Sequence, residues 1–167
     1  MLGLLNFGRY HVSKCLPINN TIRYAHFLAS VPLKKRSGEV PVSNFEKRPL
    51  LLYFSAGWCR SCKMFTPKLR NFYEQLKDGE LDIIWVSRDK TAEDQLEYYN
   101  KALPNWAYIP FGSPDIAKLL EKYEIKTIPA VRIVNEAGEV IDDGARMKIE
   151  REEESPEKLV EGWKKLI

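Results

Sequence analysis

Hydrophobic positions along this chain fall either in unbroken runs or in spaced stripes, and the two patterns predict different elements. Residues 49–54 form an unbroken apolar run through Leu50, Leu51, Leu52, Tyr53 and Phe54, which predicts a strand buried on both faces. Phe65, Leu69, Phe72, Tyr73 and Leu76 then fall at i, i+4, i+7, i+8 and i+11, one stripe of a helix that Asp78-Gly79 ends. Pro67 sits inside this stripe and predicts a kink there. Residues 81–86 read as a second buried strand. Thr91 to Asp94 opens a helix with Leu96, Tyr99 and Leu103 on one face. Ser113-Pro114-Asp115 is a strong start signal, a capping Ser, then Pro at the first helical position, then an acid. Ile116, Leu119, Leu120 and Tyr123 form the stripe that follows.

Towards the C-terminus, residues 130–134 and 139–142 read as a hairpin around Glu136-Ala137-Gly138. Ser155-Pro156-Glu157 repeats the start signal for a last helix carrying Leu159, Val160, Trp163 and Leu166. Near the other end, residues 27–33 and 39–41 fit a small hairpin around Lys35-Arg36-Ser37-Gly38. The order β-α-β-α-α-β-β-α predicts an α/β fold, with a central mixed sheet flanked by helices on both faces.

Length and composition narrow the class. A chain of 167 residues with 44% hydrophobic residues supports one packed domain, placed at residues 26–167, with an extension at residues 1–25. The net charge of +3 conceals an asymmetry: residues 1–38 hold six Lys or Arg and no acid, which leaves residues 39–167 at −3. Basicity therefore belongs to the extension and predicts no nucleic-acid partner. That extension, with Leu2, Leu4, Leu5, Phe7 and Val12 among basic residues, resembles a mitochondrial transit peptide; the alternative is a short appendage that lacks acids. Asn6, Gly8, Arg9 and His11 break the apolar stretch and argue against a secretory signal. No run approaches the roughly 20 apolar residues of a membrane span. Three cysteines are too few for a disulfide scaffold and fit a reducing compartment, so the expected location is cytoplasmic or nuclear, with mitochondrial import through residues 1–25 as the alternative.

Chemistry concentrates at Trp58-Cys59-Arg60-Ser61-Cys62, between the first strand and its helix. Disulfide exchange needs a thiolate, and a helix N-terminus stabilises one through its unpaired N–H groups. On this reading Cys59 is the exposed attacking thiolate and Cys62, one turn in, the shielded thiol that resolves the mixed disulfide. Arg60 and Lys63 add positive charge that favours the thiolate. Structural zinc is a weaker alternative, since the other ligands would be Cys15, His11 and His26 in the N-terminal segment. Two inert buried cysteines are another. Thr127-Ile128-Pro129 precedes the later strand. Its proline either starts that strand or holds a cis bond that presents Ile128 backbone groups to a substrate strand.

The stretch from Tyr53 to Leu69, followed by Phe72-Tyr73, resembles the tryparedoxin and nucleoredoxin branch of the thioredoxin superfamily. The likeness continues through Val86-Ser87-Arg88-Asp89, Tyr98-Tyr99 and the stretch from Leu103 to Phe111. Thr127-Ile128-Pro129, the stretch from Gly138 to Ile141, and Gly144-Ala145-Arg146, placed in the final hairpin, extend it over about residues 26–167. The resemblance implies a thioredoxin fold and a monomeric protein-disulfide reductase. It implies Cys59 as nucleophile, Cys62 as resolving thiol, Trp58 flanking the site, a cis Pro129, and no cofactor beyond the redox-active Cys59–Cys62 disulfide. It also implies protein disulfides as substrates, thioredoxin, glutathione or a similar dithiol as electron donor, and, by analogy with nucleoredoxins, regulation of Wnt-type signalling. The alternative function is a non-catalytic module that docks signalling partners through Trp106 or Phe111. One departure stands out: the branch has Pro-Pro between the cysteines, where this chain has Arg60-Ser61.

Overall fold

A computed structural model describes residues 26–167; Cys15, His11 and the predicted extension lie outside the described residues. Seven strands form one sheet in the order β2-β1-β5-β4-β3-β6-β7. The strands are β1 (Lys34–Lys35), β2 (Gly38–Glu39), β3 (Leu50–Ser55), β4 (Asp82–Ser87), β5 (Ala107–Tyr108), β6 (Ala130–Val134) and β7 (Val140–Asp142). The helices are α1 (Arg60–Glu74), α2 (Ala92–Ala102), α3 (Pro114–Lys122), α4 (Ala145–Arg151) and α5 (Pro156–Lys164). β3 runs parallel to β4 and antiparallel to β6, so the predicted mixed sheet is observed.

All six residues of β3 are buried, because it sits inside the sheet with helices on both sides. Its alternate side chains serve two cores. Leu51 and Tyr53 join Phe65, Leu69, Trp85, Tyr99 and Trp163 on one face, against α1, α2, α4 and α5. Leu50, Leu52 and Phe54 join Ile84, Val86, Leu119 and Tyr123 on the other, against α3 and the N-terminal turns. The two Ser-Pro starts behave as read: Ser113 and Ser155 each accept a backbone N–H from the first turn.

Several boundaries differ from expectation, each for a tertiary reason. Residues 27–31 are turns, and the hairpin strands shift to β1 and β2 around Arg36-Ser37. The Arg36 guanidinium donates to the carbonyls of Tyr99 at 3.0 Å and Leu103 at 2.8 Å, closing the C-terminal end of α2 and fixing the turn there. α1 stops at Glu74 rather than at Asp78-Gly79. On α2, Leu96 faces solvent at 44% exposure, and Gln95, Tyr98 and Tyr99 face inward. The Gln95 amide explains this choice: it donates to Ile109 O and accepts from Phe111 N, satisfying backbone groups that the sheet leaves unpaired. Leu166 lies past the end of α5 and is exposed. β5 and α4 were not expected; Gly144-Ala145-Arg146, read as hairpin, instead begins α4.

Asp142 ties β7 to both C-terminal helices. It accepts from Trp163 Nε1 at 2.8 Å, Lys148 Nζ at 2.7 Å and Gly144 N at 2.8 Å. Burial alone pushes its carboxyl up, but these donors and the Lys148 charge hold it below its usual value. A depressed folded pKa means that this stabilisation is full above the unfolded value of about 3.9 and is lost as pH falls through the folded one. Asp142→Asn is expected to cost about 1–3 kcal/mol at neutral pH and to flatten the loss of stability as pH falls below about 4. Urea denaturation of both proteins across that range checks this, and curves of equal slope would refute it.

Candidate active site

β3 ends at Ser55, and four residues carry the chain to the first turn of α1. Cys59 is the N-cap: its backbone is extended, and its sulfur accepts the Cys62 N–H at 3.1 Å. The two cysteines are joined as a disulfide with Cα atoms 5.2 Å apart. Cys62 is fully buried, as a shielded thiol must be, but Cys59 is only 7% exposed, less than expected. Ala56 and Ile128 pack around the pair and cover it.

Ile128 belongs to the loop before β6. The Ile128–Pro129 peptide is cis, and the Ile128 carbonyl oxygen lies 3.8 Å from Cys59 Sγ. Arg146 of α4 holds this loop by donating from Nη1 to Pro129 O at 3.0 Å. Its guanidinium also binds Glu150 at 3.2 Å and lies 5.8 Å from the Phe65 ring centre on α1. One side chain thus connects α4, α1 and the proline loop.

Trp58 flanks the pair at 56% exposure, with its indole N–H on Arg88 O at 3.0 Å. The preceding loop is anchored by Asp89, a buried carboxylate that accepts from Gly57 N at 2.8 Å and Ser87 Oγ at 2.7 Å. Gly57 sits close to α2: a Cβ there would lie 3.0 Å from Tyr98 Cβ, so Tyr98 would have to shift by a few tenths of an ångström. Beneath the site, the Thr66 hydroxyl joins those of Tyr53 and Tyr98, each at 2.7 Å. Burial pushes both tyrosine phenols above their ordinary value. They remain neutral and place no charge under the thiols. Positive charge comes from the helix N-terminus and from exposed Arg60 and Lys63.

The structure therefore brings Trp58, Cys59, Cys62, Ile128 and Pro129 together, with Arg60 and Lys63 on the adjoining turn. Asp89, Thr66 and Arg146 were not picked out as site residues. Asp89 had a signal, since it closes the Val86-Ser87-Arg88-Asp89 stretch of the resemblance; Arg146 was hidden by the reading of its segment as hairpin. His26, named above only as a possible zinc ligand, is buried, with its imidazole accepting the Leu28 N–H at 3.2 Å. Burial holds its pKa below the ordinary value in spite of Glu136 and Glu46. Trp106, considered as a docking contact, is 2% exposed and packs edge-on against Tyr53 and Tyr73, so it cannot reach a partner; Phe111 is exposed. Among the described residues no group of three His, Cys, Asp or Glu side chains is placed to hold a metal, and no helix is long and apolar enough to cross a membrane.

A family model described as thioredoxin-like matches residues 47–140. Probable nucleoredoxin 1 of Arabidopsis thaliana is 35% identical over 116 residues, which are 68% of this chain and 20% of that protein. The chain spans about a fifth to a quarter of the length of the plant nucleoredoxins it matches first. A crystal structure of thioredoxin from Wuchereria bancrofti is 35% identical, with a TM-score of 0.72, covering 86% of this chain and all of that one. A tryparedoxin II complexed with glutathionylspermidine is 26% identical, with a TM-score of 0.66, covering 72% of this chain and 85% of that one.

Proposed function

This chain belongs to the thioredoxin-like family, and from its Cys59–Cys62 pair we propose that it is a thiol–disulfide oxidoreductase that reduces protein disulfides. The observation that carries the reading is the Cys59–Cys62 pair itself, set at a helix N-terminus with Cys59 as the N-cap beside the proline loop. In the reduced protein the Cys59 thiolate attacks one sulfur of a substrate disulfide and displaces the other as thiolate. Cys62, deprotonated, then attacks Cys59 Sγ, forming the intramolecular disulfide and releasing the second substrate thiolate. Two electrons pass from the pair to the substrate, and the released thiolates take up protons from water. A dithiol or thiol donor of the thioredoxin or glutathione class returns two electrons and resets the pair. Trp58, Ile128 and Pro129 border the attacking sulfur and contact the substrate backbone on this reading. The protein acts as a monomer in a reducing compartment, cytosol or nucleus. A Wnt-type regulatory role forms no part of the proposal, because no feature of the site distinguishes it.

The decisive experiment is turnover: catalytic amounts of the chain, with a dithiol, should reduce insulin faster than the dithiol alone. No acceleration would sink the reading. Arg60 is proposed to tune the pair. A cation one residue from Cys59 stabilises its thiolate and so favours the reduced form. Arg60→Ser is expected to raise the Cys59 pKa, because it removes a nearby positive charge that favours the thiolate. The pH dependence of thiolate absorbance or alkylation measures it, and an unchanged value would refute the role.

A further inference from the structure

A groove of about 610 Å³ opens beside Trp58 between α1 and α2, within the range of about 300–1,000 Å³ typical of ligand sites. One wall is a single face of α1, with Lys63, Thr66, Pro67 and Arg70 at i, i+3, i+4 and i+7. The other is the matching face of α2, with Asp94, Glu97, Tyr98 and Lys101 at the same spacing. Trp58 closes the end nearest the disulfide, and Lys90 follows the anchored Asp89.

The charges here do not cancel. Asp89 is buried and hydrogen-bonded within the protein. Glu97 is paired with Lys101 at 2.5 Å. Asp94 lies in the first turn of α2, where the helix's own positive end faces it. Against these stand Lys63 and Lys90, which among the described residues have no acid within 4.0 Å, and Arg70, whose only such neighbour is exposed Glu74 at 3.8 Å. The body as a whole does not share this excess, since residues 26–167 hold 23 Lys or Arg against 23 Asp or Glu.

We propose that this groove is a specificity site that receives an acidic stretch of polypeptide next to the disulfide being exchanged, a proposal that rests on the oxidoreductase reading above. Cys59 is the N-cap of α1, four positions before Lys63, and Arg70 lies eleven residues on from Cys59, a rise of about 17 Å. An extended chain at roughly 3.3 Å per residue covers that in about five residues. Carboxylates within about five positions of the substrate cysteine meet Lys63, Lys90 and Arg70, while the apolar faces of Trp58, Pro67 and Tyr98 take the intervening side chains.

The test uses two peptides without thiols, identical except for Glu or Lys at the positions flanking a central Ser, titrated into the oxidised chain and followed by amide NMR shifts. The Glu peptide is expected to bind about tenfold more tightly at low ionic strength. Its shifts should fall on residues 63–70 and 90–101, and the difference should collapse at about 0.5 M salt. The double variant Lys90→Glu with Arg70→Glu should reverse the preference. Equal affinities, or shifts elsewhere, would overturn the assignment. These peptides cannot undergo exchange, so this result and the insulin turnover result are read independently.

Discussion

Cys59→Ser is expected to lower dithiol-driven insulin reduction by at least about a thousandfold, to the rate of the dithiol alone. The reason is chemical, because only a thiolate attacks a disulfide at neutral pH and a serine hydroxyl is never ionised there. Loss of fold is not the cause to expect. Cys59 occupies the N-cap, its sulfur taking the Cys62 N–H, and serine is among the favoured residues at that position. A circular dichroism melt within a few degrees of the parent separates the two explanations. Cys62 is expected to behave differently. With it replaced, Cys59 still attacks, but nothing inside the protein displaces the substrate, so a mixed disulfide accumulates and is visible by mass spectrometry. Cys62 is fully buried, and a serine hydroxyl there would cost about 1–3 kcal/mol if unpaired; Cys62→Ala is therefore the better trap. Trapping through Cys62 in the Cys59 variant, with none through Cys59, would reverse the assigned roles.

The largest effect on stability is expected at Trp85. Its side chain is fully buried in β4 and touches three tyrosines: ring centres lie 5.8 Å from Tyr98, 6.0 Å from Tyr99 and 6.5 Å from Tyr108, with the Tyr99 pair stacked. Its indole N–H donates to Ser55 Oγ at 2.8 Å. Trp85→Ala removes all of this and leaves a void between β4 and α2. The expected loss is about 3–5 kcal/mol, a large part of the roughly 5–15 kcal/mol that holds a typical domain folded. The site should suffer with it, because Ser55 is the last residue of β3 before the loop to Cys59. Trp85→Phe keeps most of the packing and loses the hydrogen bond, so its cost should be less than half. Urea denaturation measures both, and a change below about 1 kcal/mol for the alanine variant would show that this aromatic cluster is not a main source of stability.

How much could be read in advance varied by residue. β3 was legible because it is apolar on both faces, a pattern that surface elements do not produce. α3 and α5 were legible from Ser-Pro starts, where capping chemistry acts within three or four residues. α2 was placed, but its inward face was misread: Leu96 is more apolar than Gln95, yet Gln95 is buried because Ile109 and Phe111 need its amide. β5 and α4 escaped because two and seven residues are too short for a period to emerge.

The amino-acid sequence by itself determined the cysteine pair, the strand that feeds it and the helix that carries it. Those depend on interactions between residues a few positions apart, which local spacing records. The tertiary structure alone decided how the residues around the pair are held in place. The Ile128 carbonyl lies at the sulfur of a residue 69 positions earlier. Asp89 fixes Gly57 across 32 positions. Arg146 holds Pro129 from a helix that local patterning did not predict. The α1–α2 groove sets two helical faces opposite each other only because β3 and β4 pair in parallel. None of these contacts leaves a periodic trace, because each is fixed by how the sheet and its helices pack.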